Sequence, residues 1–448
     1  MEQVKQIQLS EHFTYKKLLR FVLPSIIMMI FTSVYSIVDG LFVSNFVGKT
    51  PFAAINMVMP VLTILGSFGF MMGAGGTAIV GRTLGEGDGE KANRYFSMLI
   101  YVVIGLGIIF SLLGFVFMRP LAALLGAKGD MLEFCVLYGR VILVALPFFM
   151  LQNSFQNFFV MAEKPNLGLA VTVVSGVLNI VLDALFILVF RWGLFGAAFA
   201  TALSQAVGAV IALVYFARKN SSLLRLIPKS GVDGRVLLKA CTNGASEMVG
   251  NLAASVVTML YNLQLMRLIG EDGVAAYGVI AYFGFIFSAI FYGYAVGCSP
   301  IVSYQFGADN RAELKNLFWK SLGTIGITGI AMVLLSRLGA VPLSKIFVGY
   351  DTALFELTVH GFKIYSAAFL FSGFSVFGSA FFTALNDGMV SALISFLRTF
   401  IFEIGSILLL PFIFGLDGIW AAIVVAELAA LIVTVFFFMT KRKKYHYA

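Results

Sequence analysis

Residues 165–190 read PNLGLAVTVVSGVLNIVLDALFILVF. A helix over this stretch is about 39 Å long, more than the roughly 30 Å hydrocarbon core of a bilayer. Its apolar residues run continuously instead of alternating, which favours a spanning helix over a barrel strand. One acid, Asp183, interrupts the run, with Asn179 four residues earlier on the same face. A charged side chain inside a span is costly unless paired or hydrated, so each one is a functional candidate.

The rest of the chain has the same character. Of its 448 residues, 60% are hydrophobic and 12% charged, with a mean hydropathy of +0.96. A soluble protein carries about 25% charged residues, because a water-facing surface needs them. A soluble enzyme, a disordered chain and a coiled coil are therefore excluded. Charge-free runs, extended to turn residues, predict twelve helices at roughly 18–47, 52–80, 94–118, 134–162, 167–190, 194–217, 239–269, 274–304, 316–340, 355–386, 389–414 and 418–440. The fold expected is an all-α integral membrane protein. Residues 1–20 are polar and basic and lack a signal-peptide pattern; an interfacial helix is expected to precede the first span. Three cysteines (Cys135, Cys241, Cys298) and three histidines (His12, His360, His446) show no metal or disulfide spacing.

The net charge of +9 is unevenly placed. With both termini on one side, that side holds 21 of the 31 Lys and Arg residues and the other side seven; Arg140, Lys363 and Arg398 lie within spans. The positive-inside rule then puts both termini in the cytoplasm of a multi-pass protein of the cell (inner, cytoplasmic) membrane. The basic residues face anionic lipid, and no nucleic-acid partner is expected.

The second half repeats the first at an offset of 222 residues: Gly48 and Ala53-Ala54 match Gly270 and Ala275-Ala276, Ile79-Val80 and Gly85 match Ile301-Val302 and Gly307, and Gly193-Leu194-Phe195-Gly196 matches Gly415-Leu416-Asp417-Gly418. Two six-helix bundles follow, 1–217 and 239–448, joined by a charged linker at 218–238. An even number of spans inserts both halves alike, so a pseudo-two-fold axis along the membrane normal relates them. The 45 glycines and the prolines within spans suit close packing and bending.

The intramembrane acids are Asp39, Asp183, Glu247, Glu403 and Glu427. Asp39, Asp183 and Thr201 each fall about 10–12 Å below the outer edge of their spans, with Asn179 one turn deeper. Two carboxylates, an amide and a hydroxyl at one depth make an oxygen-rich site suited to H⁺ or Na⁺. Mutual repulsion would leave one carboxylate holding a proton reversibly. The alternative is that each acid caps or pairs locally. The second half does not copy this set: the offset places Tyr261 at the position of Asp39 and Gly405 at that of Asp183. It carries Glu403 and Glu427 instead, with Arg398 available to neutralise one of them and Glu403 the first candidate. A substrate or cation role stays open for Glu247, Glu403 and Glu427. Arg140 and Lys363, at nearly equivalent repeat positions, are read as snorkelling cations.

No ATP site is legible. Residues 43–50 end in Gly-Lys-Thr but begin with Val43 where a P-loop needs glycine. Gly85-Glu86-Gly87-Asp88-Gly89 links two spans and is read as a tight turn. No catalytic triad appears, so an enzyme is not expected, no cofactor is expected beyond a coupling ion, and transport would be driven by an ion gradient.

With Pro24…Asp39, Gly81-Arg82-x-x-Gly85, its counterpart Tyr304-Gln305-Phe306-Gly307, Glu163-Lys164-Pro165 and Leu178-Asn179-x-x-x-Asp183, the chain resembles the multidrug and toxic compound extrusion (MATE) family, in its bacterial DinF/MepA-like branch. The resemblance implies the MATE fold and export of cationic or amphipathic compounds against H⁺ or Na⁺; a monomer is expected. In that branch an Asp on the first helix, an Asn and Asp four apart on the fifth and a Thr on the sixth form a cation site, which Asp39, Asn179, Asp183 and Thr201 match. Other members use a Glu on the seventh helix, which Glu247 resembles. Their acid on the tenth has no counterpart, since Ser375 and Ser379 occupy its middle. A lipid-linked oligosaccharide flippase of the same superfamily is the rival reading. The intramembrane charges are mostly acidic, which argues for cationic cargo.

Overall fold

The computed structural model describes residues 7–448, and all its regular structure there is helical. In the first half, α1 spans Tyr15–Phe46, α2 Lys49–Gly85, α3 Gly89–Leu124, α4 Gly129–Met161, α5 Pro165–Asp183 and α6 Gly193–Ala217. In the second, α7 spans Gly234–Ile269, α8 Glu271–Gly307, α9 Arg311–Val348, α10 Thr352–Tyr365, α11 Phe369–Ala384, α12 Gly388–Phe396 and α13 Ile404–Tyr445. A single 3₁₀ turn joins α10 to α11, so they make one span. Most helices run several residues past the expected ends, because polar loop residues cap them. Asp88, Asp233, Asn310 and Asp351 each accept a backbone N–H from the first turn that follows.

From Gly388 to Tyr445 the helical run is 58 residues long, which is about 87 Å and far more than one crossing needs. It breaks at Gly415, whose φ of 57° and ψ of −132° are non-helical and favoured only by a residue without Cβ. The two legs fold back so closely that a methyl on Gly418 would collide with the Leu410 carbonyl. They are two spans, and the chain crosses twelve times.

The halves meet through α1, α2, α7 and α8. A methyl on Gly85 of α2 would strike the Tyr304 carbonyl oxygen of α8, and one on Gly307 of α8 would strike the Arg82 carbonyl oxygen of α2. Gly75 abuts Ala240 and Gly244 of α7, while Gly297 abuts Val22 of α1. These contacts come in pairs at the 222-residue offset, the reciprocal pattern of a two-fold interface. All lie on the side of the membrane holding the termini. Toward the opposite side, Gly40, Gly250, Gly270 and Gly278 meet nothing within 4 Å of where a Cβ would be. The close glycine contacts between the bundles thus lie on the terminus side.

Residues 7–14 form no helix; they are turns and extended chain laid across both halves. Helix formation is outcompeted because this backbone finds partners elsewhere. The Leu9 N–H donates to Glu163 Oε1 (2.7 Å), and Gln305 Nε2 donates to the Leu9 carbonyl (2.7 Å). The Phe13 N–H donates to Glu313 Oε1 (2.9 Å), while Asn316 and Lys320 donate to the Phe13 carbonyl. His12 pairs with Glu313 Oε2 (2.6 Å), and Leu9 and Phe13 are fully buried. Burial pushes the Glu163 carboxyl above its ordinary range, against the lowering effect of the Leu9 N–H. An interfacial helix was expected here. Residues 1–6, which it would also have included, lie outside the described residues.

Candidate functional site

In the first half, α5 is placed against α1 by a glycine. A Cβ on Gly176 would lie 2.5 Å from Phe31 Cε1 and 2.9 Å from Tyr35 Cδ1. The fit brings Asp39, one turn beyond Tyr35, to Asp183, two turns beyond Gly176. Their carboxyl groups come within hydrogen-bonding reach of each other. On the inner side, Gln152 Nε2 donates to Ser175 Oγ (3.2 Å), which donates to the Ser204 carbonyl (2.7 Å). That network ties α4, α5 and α6 together and sets Thr201 beside Asn179. Asn179 Nδ2 then donates to Thr201 Oγ1 (3.5 Å), which donates to the Ala197 carbonyl (3.1 Å).

Three oxygens here are buried with no hydrogen-bond donor: Asp39 Oδ1 and both oxygens of Asp183. Two bare carboxylates side by side in a low-dielectric interior repel strongly, so the pair calls for a shared proton or a bound cation. With Asn179 Oδ1 and the free Thr201 lone pair, the donors are all hard oxygens, which suit H⁺ or Na⁺ and not a softer metal. Among the described residues no cluster of three or more His, Cys, Asp and Glu residues exists that would hold a metal ion.

Two neighbours were not legible in the sequence. Tyr35 lies within electrostatic range of Asp39, and fully buried Tyr138 of α4 lies within range of both acids. Tyr35 is four residues before Asp39, a spacing that could have marked it. Nothing local marks Tyr138. The backbone also changes winding: a π-helical segment, Ala184–Val189, starts immediately after Asp183. Such segments are rare and concentrate at functional sites.

The second half holds a different arrangement. Arg398 makes a bidentate pair with Glu427, Nη2 to Oε1 at 2.6 Å and Nε to Oε2 at 3.1 Å, and reaches Tyr292 Oη at 3.4 Å. The acid that Arg398 neutralises is thus Glu427 and not Glu403, because the π-helical segment Leu397–Glu403 turns these two residues of one run to different neighbours. Glu403 makes no ion pair among the described residues and lies within electrostatic range of Arg398, Glu427, Tyr261, Tyr277 and Tyr365. Tyr261 stacks on Tyr277 with ring centroids 4.6 Å apart, filling the place that Asp39 has in the first half. Glu247 of α7 forms no side-chain hydrogen bond or ion pair among the described residues and stands one turn beyond Gly244, which packs on the Met71 carbonyl. The structure does not bring Glu247, Glu403 or Glu427 to the first-half site.

The Arg398–Glu427 pair gives a stability expectation. The Glu427 side chain is 4% exposed, and removing one partner of a buried pair leaves an unpaired charge. Glu427→Gln should therefore cost about 3–5 kcal/mol, whereas Arg398→Met with Glu427→Met should recover most of it. Thermal unfolding in detergent separates these outcomes; equal loss in both variants would contradict a pairing role.

Curated relatives support the same architecture. The multidrug export protein MepA of Staphylococcus saprophyticus is 26% identical over 419 residues, covering 93% of this chain and 92% of its own. A crystal structure of MATE in complex with MaL6 matches all of both chains with a TM-score of 0.93 at 21% identity. So does an outward-facing multidrug resistance MATE family transporter of the MOP superfamily, with a TM-score of 0.92 at 22% identity. The family pattern described as MatE matches twice, at residues 24–185 and again at 248–408. Those two matches fall one in each half of the twelve-span fold, and on them the chain belongs to the MatE family.

Proposed function

We propose that this chain exports cationic or amphipathic organic compounds from the cell in exchange for H⁺ or Na⁺, with the coupling ion bound in the first half. The observation that carries this reading is the pair Asp39–Asp183 with its three donorless buried oxygens. Asn179 and Thr201 complete the site, and Tyr138 screens it. The name of the staphylococcal relatives, multidrug export protein, supports the cargo class. Basic residues on the terminus side support a cytoplasmic location for both termini in the cell membrane. The six-helix bundles 1–217 and 239–448 rock as units about the glycine contacts, and a monomer suffices. Transport of this kind needs no catalytic residue and no resident cofactor.

In the mechanism, cargo and ion compete through conformation. In this reading the glycine contacts close the terminus side, and alternation opens it. Occupation of Asp39–Asp183 removes the repulsion between the carboxylates and alters how α1 packs on α5. An ion that binds one state more tightly shifts the equilibrium by that difference in affinity. Glu247 and Glu403, which form no ion pair among the described residues, would supply negative potential for a cationic cargo.

Reconstituted vesicles loaded with a fluorescent organic cation test the proposal. Imposing a pH or Na⁺ gradient should accelerate efflux. If neither gradient moves the cation while a labelled anionic lipid-linked sugar crosses, the flippase reading replaces this one.

A further inference from the structure

We infer that the second half carries a binding site for the phosphate of an anionic phospholipid, in the leaflet opposite the termini. A groove of about 650 Å³ lies between α9, α10 and the last leg of α13. Arg337, His360 and Lys363 supply its polar edge, and Ile364, Val424 and Val425 its apolar wall. Arg337 sits among Leu334, Leu335 and Leu338, each more than half exposed, so this face is the one that hydrocarbon covers.

The two cations are matched in depth. Arg337 is eleven residues before the end of α9, and Lys363 eleven after the start of α10, about 16 Å along each helix. A helix of 38 residues is about 57 Å long and overhangs a core of roughly 30 Å by about 13 Å at each end. Both cations thus lie within a few ångströms of the hydrocarbon boundary, next to the level of lipid phosphates.

Neither cation has an acidic partner or a side-chain hydrogen bond among the described residues. His360 does: its Nε2 pairs with Asp417 Oδ1 at 2.7 Å, and Glu356, one turn before His360 on α10, forms no ion pair with Arg337 or Lys363 among the described residues. The first half treats its cations differently. Arg119 pairs with Glu133 at 2.5 Å. Arg140, near the repeat position of Lys363, donates to the Phe115 carbonyl at 3.2 Å and lies 4.8 Å from the centroid of that ring. Snorkelling alone would satisfy one cation. Two at one depth, 26 residues apart in sequence and facing one groove with a hydrocarbon wall, fit a headgroup phosphate above and acyl chains along Ile364, Val424 and Val425.

Native mass spectrometry of the detergent-purified full chain, exchanged against equal phosphatidylglycerol and phosphatidylcholine, tests the site. Each cation near an anionic headgroup contributes about a fivefold preference, so two give roughly 30-fold. The wild type should retain one phosphatidylglycerol at about that preference. Lys363→Gln should lower it to about fivefold and Arg337→Gln/Lys363→Gln to parity, while Arg337→Lys/Lys363→Arg, which keeps both charges, should restore it. Arg140→Gln should leave it unchanged. Should the double neutral variant fail to fold, Lys363→Gln alone decides. Undiminished preference in the neutral variants, equal retention of phosphatidylcholine by the wild type, or displacement by inorganic phosphate alone at lipid-equivalent concentration would each overturn the inference.

Discussion

Asp183→Asn is expected to abolish gradient-driven efflux while leaving binding of the organic cation within a few-fold of wild type. Asp183 is fully buried, and both its oxygens lack donors among the described residues. Asparagine keeps the shape, removes the charge and cannot take up or release an ion. The position is then fixed in its neutral state whatever the gradient. An ion without differential affinity for the two states shifts nothing. Asp39→Asn should behave alike but less severely, because Asp39 is only partly buried and Asp183 would remain able to hold an ion. A loss of at least tenfold in gradient-dependent rate is expected for Asp183→Asn, corresponding to about 1.4 kcal/mol or more of lost coupling. Vesicle efflux with and without an imposed gradient measures the rate, and fluorescence titration measures binding. Parallel loss of binding and transport would instead assign Asp183 to cargo.

The second large effect concerns the seal on the terminus side. Gly85→Ala and Gly307→Ala each put a methyl against a main-chain carbonyl of the opposite half. A backbone atom cannot rotate away as a side chain can, so the bundles must separate there. Overpacking of this kind costs about 1–3 kcal/mol, and a cost confined to the closed-seal state shifts the ratio of states by roughly 5- to 150-fold. Cys241 is the reporter: it is half-buried beside Ala240, which meets Gly75 across the seal, whereas Cys135 and Cys298 are buried. Labelling of Cys241 by a membrane-impermeant maleimide should accelerate in both variants. Gly40→Ala, with open space around it, should leave the rate unchanged. No change in the first two variants would mean that the glycine contacts do not hold the halves together.

Much of this architecture is legible in the residues. Continuous apolar runs reveal spans because nothing else satisfies a backbone in hydrocarbon, and the Asn179–Asp183 spacing shows a shared face. Gly85 and Gly307 mark the repeat, and their reciprocal contacts give its physical reason: only glycine permits carbonyl-to-Cα approach across the axis. What the sequence hides depends on distant partners. Tyr138 reaches the two acids from a helix about a hundred residues from Asp39. Arg398 selects Glu427 over nearer Glu403 because π winding turns it. Leu9 and Phe13 resemble tail residues until the carboxylates of Glu163 and Glu313 capture their amides. Lys363 and Arg140 look alike in sequence, yet Phe115 satisfies only Arg140.

The central claim is that ion and cargo bind in opposition through Asp39 and Asp183. Equilibrium binding of a fluorescent organic cation to the purified protein, titrated across pH and then across Na⁺ concentration, addresses it most directly. The account predicts that affinity weakens on acidification or on added Na⁺ in the wild type, and that this dependence disappears in Asp39→Asn/Asp183→Asn. Affinity that is insensitive to both ions in the wild type, or equally sensitive in the double variant, would contradict it.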